Sequence, residues 1–387
     1  MNVNIEFFVL DPIENLITCL NFKMDKVIYF GHSDVMTSYR QKHTARILRE
    51  VCGVKAVEFH VVSQRNLQSV VEHMEEILKR EEAHDCYFDL TGGEELIAVA
   101  MGILSRDYKT PMHLFDVESG KLHMLNKWEL PGIEESVESR KIELTLDDIV
   151  GFRGGKISYR HQKMSKSNLD TEGFETIVNE MWEILKPAPD KWNGLAKVFQ
   201  DCISFESDLV NVSIPQKKLK SILARHSQMG DVTEFITYLQ RLEMVGAIKR
   251  LHVTPETIRY SYISEPMREC LLDAGCLLEL RTYYNRKNTG RYSDCRVGVH
   301  IDWDGVFDGH NLDVENEIDV MLLRGNVATF ISCKNGRVDQ MALYELNTVA
   351  DRFGGDYVQK ELSVSQPLMG AYLRRAEEMN ITVTKEE

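Results

Sequence analysis

The stretch NEIDVMLLRGNVATFISCKNG, residues 316–336, sets Glu317 and Asp319 on one side of an Arg324-Gly325-Asn326 turn and Ser332-Cys333-Lys334 on the other. Side chains alternate along a strand, so Glu317 and Asp319 share a face, as do Ser332 and Lys334. Paired as a hairpin, the two strands would bring carboxylate and ammonium to one phosphate. Phosphodiester hydrolysis calls for that combination: a divalent cation polarises the phosphorus and activates water, and a fixed positive group stabilises the developing charge. Asp319 would ligate the metal, the Cys333 backbone carbonyl would add an oxygen, and Lys334 would orient the water or hold the phosphate. Hard oxygen donors select Mg²⁺ or Mn²⁺. The alternative is a hairpin edge protected by charge. Upstream, AGCLLELRTY places Glu279 beside Leu277, Leu278 and Leu280, so that carboxylate is either solvated or aimed at a site.

A second cluster is Thr91-Gly92-Gly93, between the apolar run ending at Asp89-Leu90 and the helical stretch that follows. Glycines there let backbone amides approach a ligand, and a helix N-terminus carries partial positive charge. Open α/β sheets bind ligands outside the carboxyl ends of their strands. The loops after the first two strands, Asp11-Pro12 to Asn15 and Gly31-His32-Ser33, are expected at the same edge. The alternative is a tight turn with Thr91 as helix cap. Glu94 and Glu95 disfavour a polyphosphate, and the first strand-to-helix turn lacks GxGxxG, which argues against a dinucleotide-dependent oxidoreductase.

The elements that must position these residues are legible in the periodicity. Residues 1–150 alternate strand and helix: VNIEFFVL, DKVIYFGH, AVEFHVV and DCYFDL are strands. Helices follow each, and PMHLFDVESGKLHML turns as a hairpin. This predicts a mostly parallel, Rossmann-like sheet covered on both faces. Residues 151–189 open with GFRGGKISYRHQKMSKSNLD, polar and basic, and read as a linker. Residues 190–264 show helix, helix and a short hairpin, the order of a winged helix. Residues 265–387 start with a helix, EPMRECLLDAGCLLELRTYYN, followed by three strands and another helix.

At 387 residues the chain suits two or three domains. Its 43% hydrophobic and 27% charged content is that of a soluble globular protein. No apolar run reaches the ~18 residues of a membrane span. MNVNIEFFVLDP has no basic start or small-residue cleavage site, which predicts a cytoplasmic address and no membrane partner. Eight cysteines are scattered singly, as expected of reduced buried thiols, and no Cys/His spacing suits zinc. The net charge of −14 excludes a standing DNA-binder with a broad basic footprint, so any nucleic-acid contact should be local.

Taken together, DPIENLITCL after the first strand, LTGGEELIAVAM after a later one, GCLLEL on a helix and NEIDVMLL…FISCKNG resemble the CRISPR-associated Rossmann-fold (CARF) effectors with a restriction-endonuclease-like domain. The resemblance runs through nearly the whole chain in order. It implies an ancillary effector of type III CRISPR defence, a homodimer whose paired Rossmann domains bind a cyclic oligoadenylate, with the tetra-adenylate as the expected ring. The C-terminal domain would be a metal-dependent PD-(D/E)xK nuclease cutting DNA, RNA or both. Glu279 matches the helix glutamate of that fold, Asp319 the central metal-binding aspartate and Lys334 the motif lysine. Thr91, Gly92 and Gly93 correspond to the nucleotide-contacting loop, with Asp11 to Asn15 on the opposite rim.

Ser332 departs from the pattern, which usually has an acid there. Glu317 or Glu345 supplies the missing ligand, or the site binds metal weakly through Glu279, Asp319 and carbonyls, or the nuclease is inactive. Lys42, Arg46 and Arg106 are candidate rim cations, each also readable as a solvated helix residue. The rival function is a nucleotide-responsive DNA-binding regulator, which would use the winged-helix region and its Lys217, Lys218, Lys220 and Arg225. Against it stands an interdomain spacer.

Overall fold

The structure, a computed structural model, describes every residue except 127, 129–130, 160–163, 227–229 and 307–314. The chain forms two compact units. The first is Met1–Gly154 with Gly325–Val327 and Gly355–Tyr357, and the second is Gly155–Arg324, Ala328–Gly354 and Val358–Glu387. Both are mixed α/β. Among the described residues no helix is long and apolar enough to cross a membrane. All eight cysteines are free.

The first unit runs β1 (Asn2–Phe7), α1 (Ile17–Asn21), β2 (Lys26–Gly31), α2 (Ser38–Glu50), β3 (Ala56–Val61), α3 (Leu67–Arg80), β4 (Asp85–Asp89) and α4 (Glu95–Tyr108). The hairpin β5 (Met112–Asp116) and β6 (Lys121–Met124) follows, then α5 (Ile133–Ser136) and α6 (Leu146–Phe152). The strand order is β3-β2-β1-β4-β5-β6, with β6 antiparallel to β5 and the rest parallel. Near-continuous apolar strands are what a sheet buried on both faces requires. On one face Val3, Ile5, Phe7, Ile28, Phe30 and Phe88 pack against Val70, Met74, Ile77 and Leu78 of α3 and Ile97, Met101 and Leu104 of α4. The helix expected over IENLITCLNFK shrinks to α1, because Asn15 turns its side chain back on the Val9 backbone and holds residues 9–15 as a loop.

The second unit begins with β7 (Lys156–Ser158), α7 (Lys166–Leu169) and α8 (Phe174–Leu185). Residues 151–189 are therefore not a linker. β7 pairs with β11 (Asp294–Asp302) through Ile157 opposite Ile301, and α8 buries Phe174, Val178, Met181, Trp182, Ile184 and Leu185. Glycine and charge dominate the start of this stretch and hide a three-residue strand. The amphipathic spacing of FETIVNEMWEIL was the readable signal. Residues 160–163 of the expected linker lie outside the described residues.

Next come α9 (Pro189–Asp201), β8 (Asn211–Pro215), α10 (Gln216–Leu223), α11 (Val232–Met244), β9 (Ile248–Val253) and β10 (Thr257–Tyr262), with β8, β10 and β9 as a three-stranded antiparallel sheet. The helix expected over EPMRECLLDAGCLLELRTYYN is two helices, α12 (Glu265–Leu272) and α13 (Cys276–Lys287). They break where the Asp273 carboxylate accepts the Gly275 N–H. A second six-stranded sheet has the order β15-β14-β13-β12-β11-β7. Its remaining elements are β12 (Glu315–Arg324), β13 (Val327–Lys334), α14 (Gln340–Gly354), β14 (Gln359–Val364), α15 (Gly370–Glu378) and β15 (Ile381–Lys385). Trp182, Trp192, Phe199, Leu239, Tyr260, Tyr283, Val320 and Ile331 belong to one continuous core, so nothing in the packing marks a break at 264.

Candidate functional site

In the first sheet the strand order reverses between β1 and β4, and the loops leaving their carboxyl ends are residues 8–16 and 90–94. That crevice is where sheets of this type take ligands. Its geometry is set from below by Asp89, the last residue of β4, which is fully buried. Asp89 Oδ1 accepts the Thr91 N–H at 2.9 Å and the Thr91 hydroxyl, and Oδ2 accepts the Thr18 hydroxyl and Asn4 Nδ2. His113 Nε2 lies 3.2 Å from Oδ2. Burial alone would raise the Asp89 pKa, but His113 and the hydroxyl donors outweigh it and hold the carboxyl well below the usual range. Thr91 Oγ1 also accepts the Phe115 N–H at 2.9 Å, tying the loop to β5. Thr91 is therefore not the helix cap. That role falls to Glu94, whose carboxylate accepts the Ile97 N–H.

Gly92 is forced by close approach: a Cβ there would stand 2.8 and 2.9 Å from the two Val9 methyls of the opposite loop. The N–H groups of Gly92, which is buried, and Gly93, which is exposed, have no acceptor among the described residues. Asn15 holds both the N–H and C=O of Val9 at 2.9 Å and accepts the Tyr29 hydroxyl on its own carbonyl. Asp11 is committed to structure: it accepts the Ile13 N–H and pairs with the buried Arg153 guanidinium. Pro12 sits between them, partly exposed. Gly31 is crowded by Met36, and Ser33 is exposed. His32 is buried edge-on to Phe7, with Nε2 3.7 Å from Glu94. Glu14 is raised, first by burial and then by repulsion from Asp11 and Asp89. The rim is thus acidic in its side chains and donating in its backbone.

In the second unit β12 and β13 are neighbours, and alternation holds: Ile318 and Val320 face the core while Glu317 and Asp319 face outward. Asp319 is only 15% exposed at its side chain. Its Oδ2 accepts the Ser332 hydroxyl at 3.2 Å and the Cys333 N–H at 2.5 Å, and stands 4.0 Å from Lys334 Nζ. Burial raises the Asp319 pKa, and Glu317 adds to it, against the lowering effect of Lys334 and the two donors. Cys333 points its thiol away, toward the Thr282 hydroxyl. Burial and then the charges of Asp319 and Glu279 push that thiol far above its usual range, so the sulfur stays protonated. Glu279 lies in the first turn of α13, its Oε1 folded back over Gly275.

Glu317 acts through its charge on Asp319, and Glu279 on the Cys333 thiol, so both carboxylates lie in the neighbourhood of the Asp319–Lys334 pair. Among the described residues, however, no three His, Cys, Asp or Glu side chains converge closely enough to hold a metal by themselves. Glu317 is turned to His300 on β11, 3.8 Å away. Glu345 accepts Asn316 Nδ2, on the opposite face of β12 from Asp319, so it does not fill the shell. Asn335 carries no sequence motif but braces this end of the hairpin. Its side-chain amide donates to the Ala274 carbonyl ahead of α13 and to Asn193 Oδ1 of α9 at 2.8 Å, and its backbone carbonyl accepts Asn193 Nδ2 at 3.1 Å. This ties the lysine turn to the helix that carries Glu279. No spacing rule would have flagged it.

No protein-family model and no curated protein sequence matches the chain. Among solved structures, protein VC1899 from Vibrio cholerae is similar at a TM-score of 0.72 and 15% identity, over 99% of this chain and 94% of that one. Can2 from Sulfobacillus thermosulfidooxidans, solved in complex with cyclic tetra-adenylate, is similar at a TM-score of 0.62 and 16% identity, over 99% of this chain and 93% of that one. At such identities the likeness is one of fold: this chain shares the α/β fold of these two proteins.

Proposed function

We propose that the chain is an ancillary CRISPR effector of the CARF type, a phosphodiesterase switched on by a cyclic oligoadenylate. The observation that carries the chemistry is the Asp319 carboxylate, only 15% exposed and 4.0 Å from Lys334, with Glu317 close enough to act on it through its charge and Glu279 close enough to act on Cys333. In this reading residues 1–150 are the sensor, β8–β10 with α9–α11 a winged-helix-like connector, and the second six-stranded sheet a restriction-endonuclease-like domain. The Gly92 and Gly93 amides at the strand-order reversal, which have no acceptor among the described residues, support a phosphate-containing ligand there, and a ring spanning two copies of the crevice fits a homodimer. Likeness of fold to a protein solved in complex with cyclic tetra-adenylate makes that ring the first to test.

Asp319 and Glu279 would hold Mg²⁺ or Mn²⁺, with the Cys333 carbonyl as the further oxygen. When bound, the cation supplies Lewis-acid polarisation of the phosphorus and an activated water. Lys334 neutralises the charge that develops on the phosphate oxygens. Ser332 keeps Asp319 oriented, and Glu317 strengthens the negative field. The test is incubation of the purified protein with Mn²⁺ or Mg²⁺, with and without cyclic tetra-adenylate, on plasmid, single-stranded DNA and RNA. Cutting that requires both ligand and metal and disappears in Lys334→Ala supports the reading. Tight ligand binding with no cutting of any substrate would favour the second reading, a nucleotide-responsive DNA-binding regulator with an inactive site. That reading has Ser332 in place of an acid as its own supporting observation.

A further inference from the structure

The three-stranded sheet of β8, β10 and β9 has one face in the core and one in solvent. Val212, Ile214, Ile258, Tyr260, Tyr262 and Ile248 are buried on the inner side. Pairing sets the outer face: Ser213 opposite Arg259 opposite His252, and Asn211 and Lys249 on either side of Ser261, which is itself buried and donates to Asn211 Oδ1 at 2.6 Å. Arg250 sits at the irregularity in register with φ +59, which leaves its side chain and that of Lys249 both exposed on the edge strand. No carboxylate occupies these paired outward positions, although the chain holds 60 acidic residues against 46 Lys and Arg.

The basic surface continues past the sheet. The Gln216 N–H donates to the Glu256 carbonyl at 2.8 Å and its side chain to the Thr254 carbonyl at 2.6 Å, which brings the start of α10 to the β9–β10 turn. Lys217, Lys218 and Lys220 follow directly and are exposed. Over residues 211–262 eight Lys and Arg stand against four Asp and Glu, in a chain of net charge −14.

We propose that this face is a docking surface for the phosphate backbone of duplex nucleic acid, read without regard to sequence. Charge complementarity selects a polyanion. Lysine, arginine, serine and asparagine side chains are the groups that contact phosphate and sugar rather than base edges. His252 is the one ring at the paired outward positions, which hold no Phe, Tyr or Trp because Tyr260 and Tyr262 are buried on the inner side, so they offer no platform for successive bases. Single-strand binders depend on aromatic platforms for stacking, so a duplex is the better occupant. The inference deepens the proposed function by naming the form of substrate, but it concerns binding and is measured without cleavage.

The experiment uses the full chain in EDTA and fluorescence anisotropy with a labelled duplex of about 30 base pairs and a single strand of the same length, titrated against salt. The duplex is expected to bind more tightly than the single strand, with no dependence on sequence. Lys249→Glu/Arg259→Glu should weaken duplex binding about tenfold or more and flatten the log–log salt slope by about two. Lys186→Glu/Arg375→Glu, the same charge change elsewhere, should leave it unaltered. Lys249→Gln/Arg259→Gln repeats the test with less risk to folding, and near-ultraviolet circular dichroism checks each variant. Equal loss in both charge-reversed pairs, tighter binding of the single strand, or equal affinity for polyglutamate would each overturn the proposal. Cutting assays report separately on the hairpin, so a failed nuclease leaves this result interpretable.

Discussion

The Ser332 hydroxyl donates to Asp319 Oδ2 at 3.2 Å, so the residue that breaks the expected acidic pattern satisfies the buried carboxylate beside it. An acid at 332 would put a second negative charge against Asp319, which burial and Glu317 already push toward protonation. Serine trades a possible metal ligand for a hydrogen bond, and the pocket stays tolerable without a cation.

Ser332→Asp should reverse that trade. Without divalent metal the variant is expected to melt several degrees below the parent, as about 1–2 kcal/mol of repulsion and lost hydrogen bonding would give. Added Mn²⁺ should raise its melting temperature by more than it raises the parent's. Calorimetric or fluorescence melting with and without metal reads both effects.

Asp319→Asn isolates the cost of that buried charge. A carboxyl whose folded pKa is raised destabilises the fold wherever it is ionised, above the raised value. The penalty disappears below the unfolded value of about 3.9. The amide variant should therefore be more stable than the parent at pH 7, with an advantage that shrinks as pH falls through the raised pKa. Melting curves at pH 7 and near pH 4 check the sign.

Asp89→Asn should behave in the opposite sense. Its folded pKa is held down by His113 and the hydroxyl donors against burial, so its contribution is present above the unfolded value and is lost as pH falls toward the depressed one. Breaking this buried set should cost about 3–5 kcal/mol at neutral pH. It should also loosen the Thr91-Gly92-Gly93 loop, whose first residue it holds through two bonds. Hydrogen exchange at residues 90–94 would report the loosening apart from global stability.

At Gly92 the obstacle to a side chain is the pair of Val9 methyls under 3 Å from a Cβ. Gly92→Ala is expected to weaken binding of cyclic tetra-adenylate about tenfold or more by pushing the two loops apart, and Val9→Ala in the same chain should recover most of that loss. Titration calorimetry of the single and double variants decides it. Equal affinity in parent and Gly92→Ala would mean the ligand does not use this crevice.

Much of the architecture was legible because it is written in periodicity. The four apolar runs and their helices specify the first sheet, and the glycine turn at 91–93 falls where the strand order reverses. The hairpin was legible from the alternation of Glu317, Asp319, Ser332 and Lys334. Tertiary contacts hid the rest. β7 is three residues long and defined by Ile157 meeting Ile301, and the break between α12 and α13 depends on one Asp273 hydrogen bond. Asp11 looked free for a ligand until Arg153, far away in sequence, proved to be its partner. Glu345 looked available until Asn316 took it on the wrong face of the strand. Asn335 and Asn193 carry no motif, and only the folded chain shows that they brace the lysine turn.

The most direct measurement is the single-turnover rate of plasmid cleavage in Mn²⁺, with and without cyclic tetra-adenylate, for the parent chain and Lys334→Ala. The account predicts cleavage by the parent only when the ring is present, and a fall of about a hundredfold or more in Lys334→Ala with ring binding unchanged. Cleavage at equal rates with and without the ring, or cleavage that survives in Lys334→Ala, would contradict it.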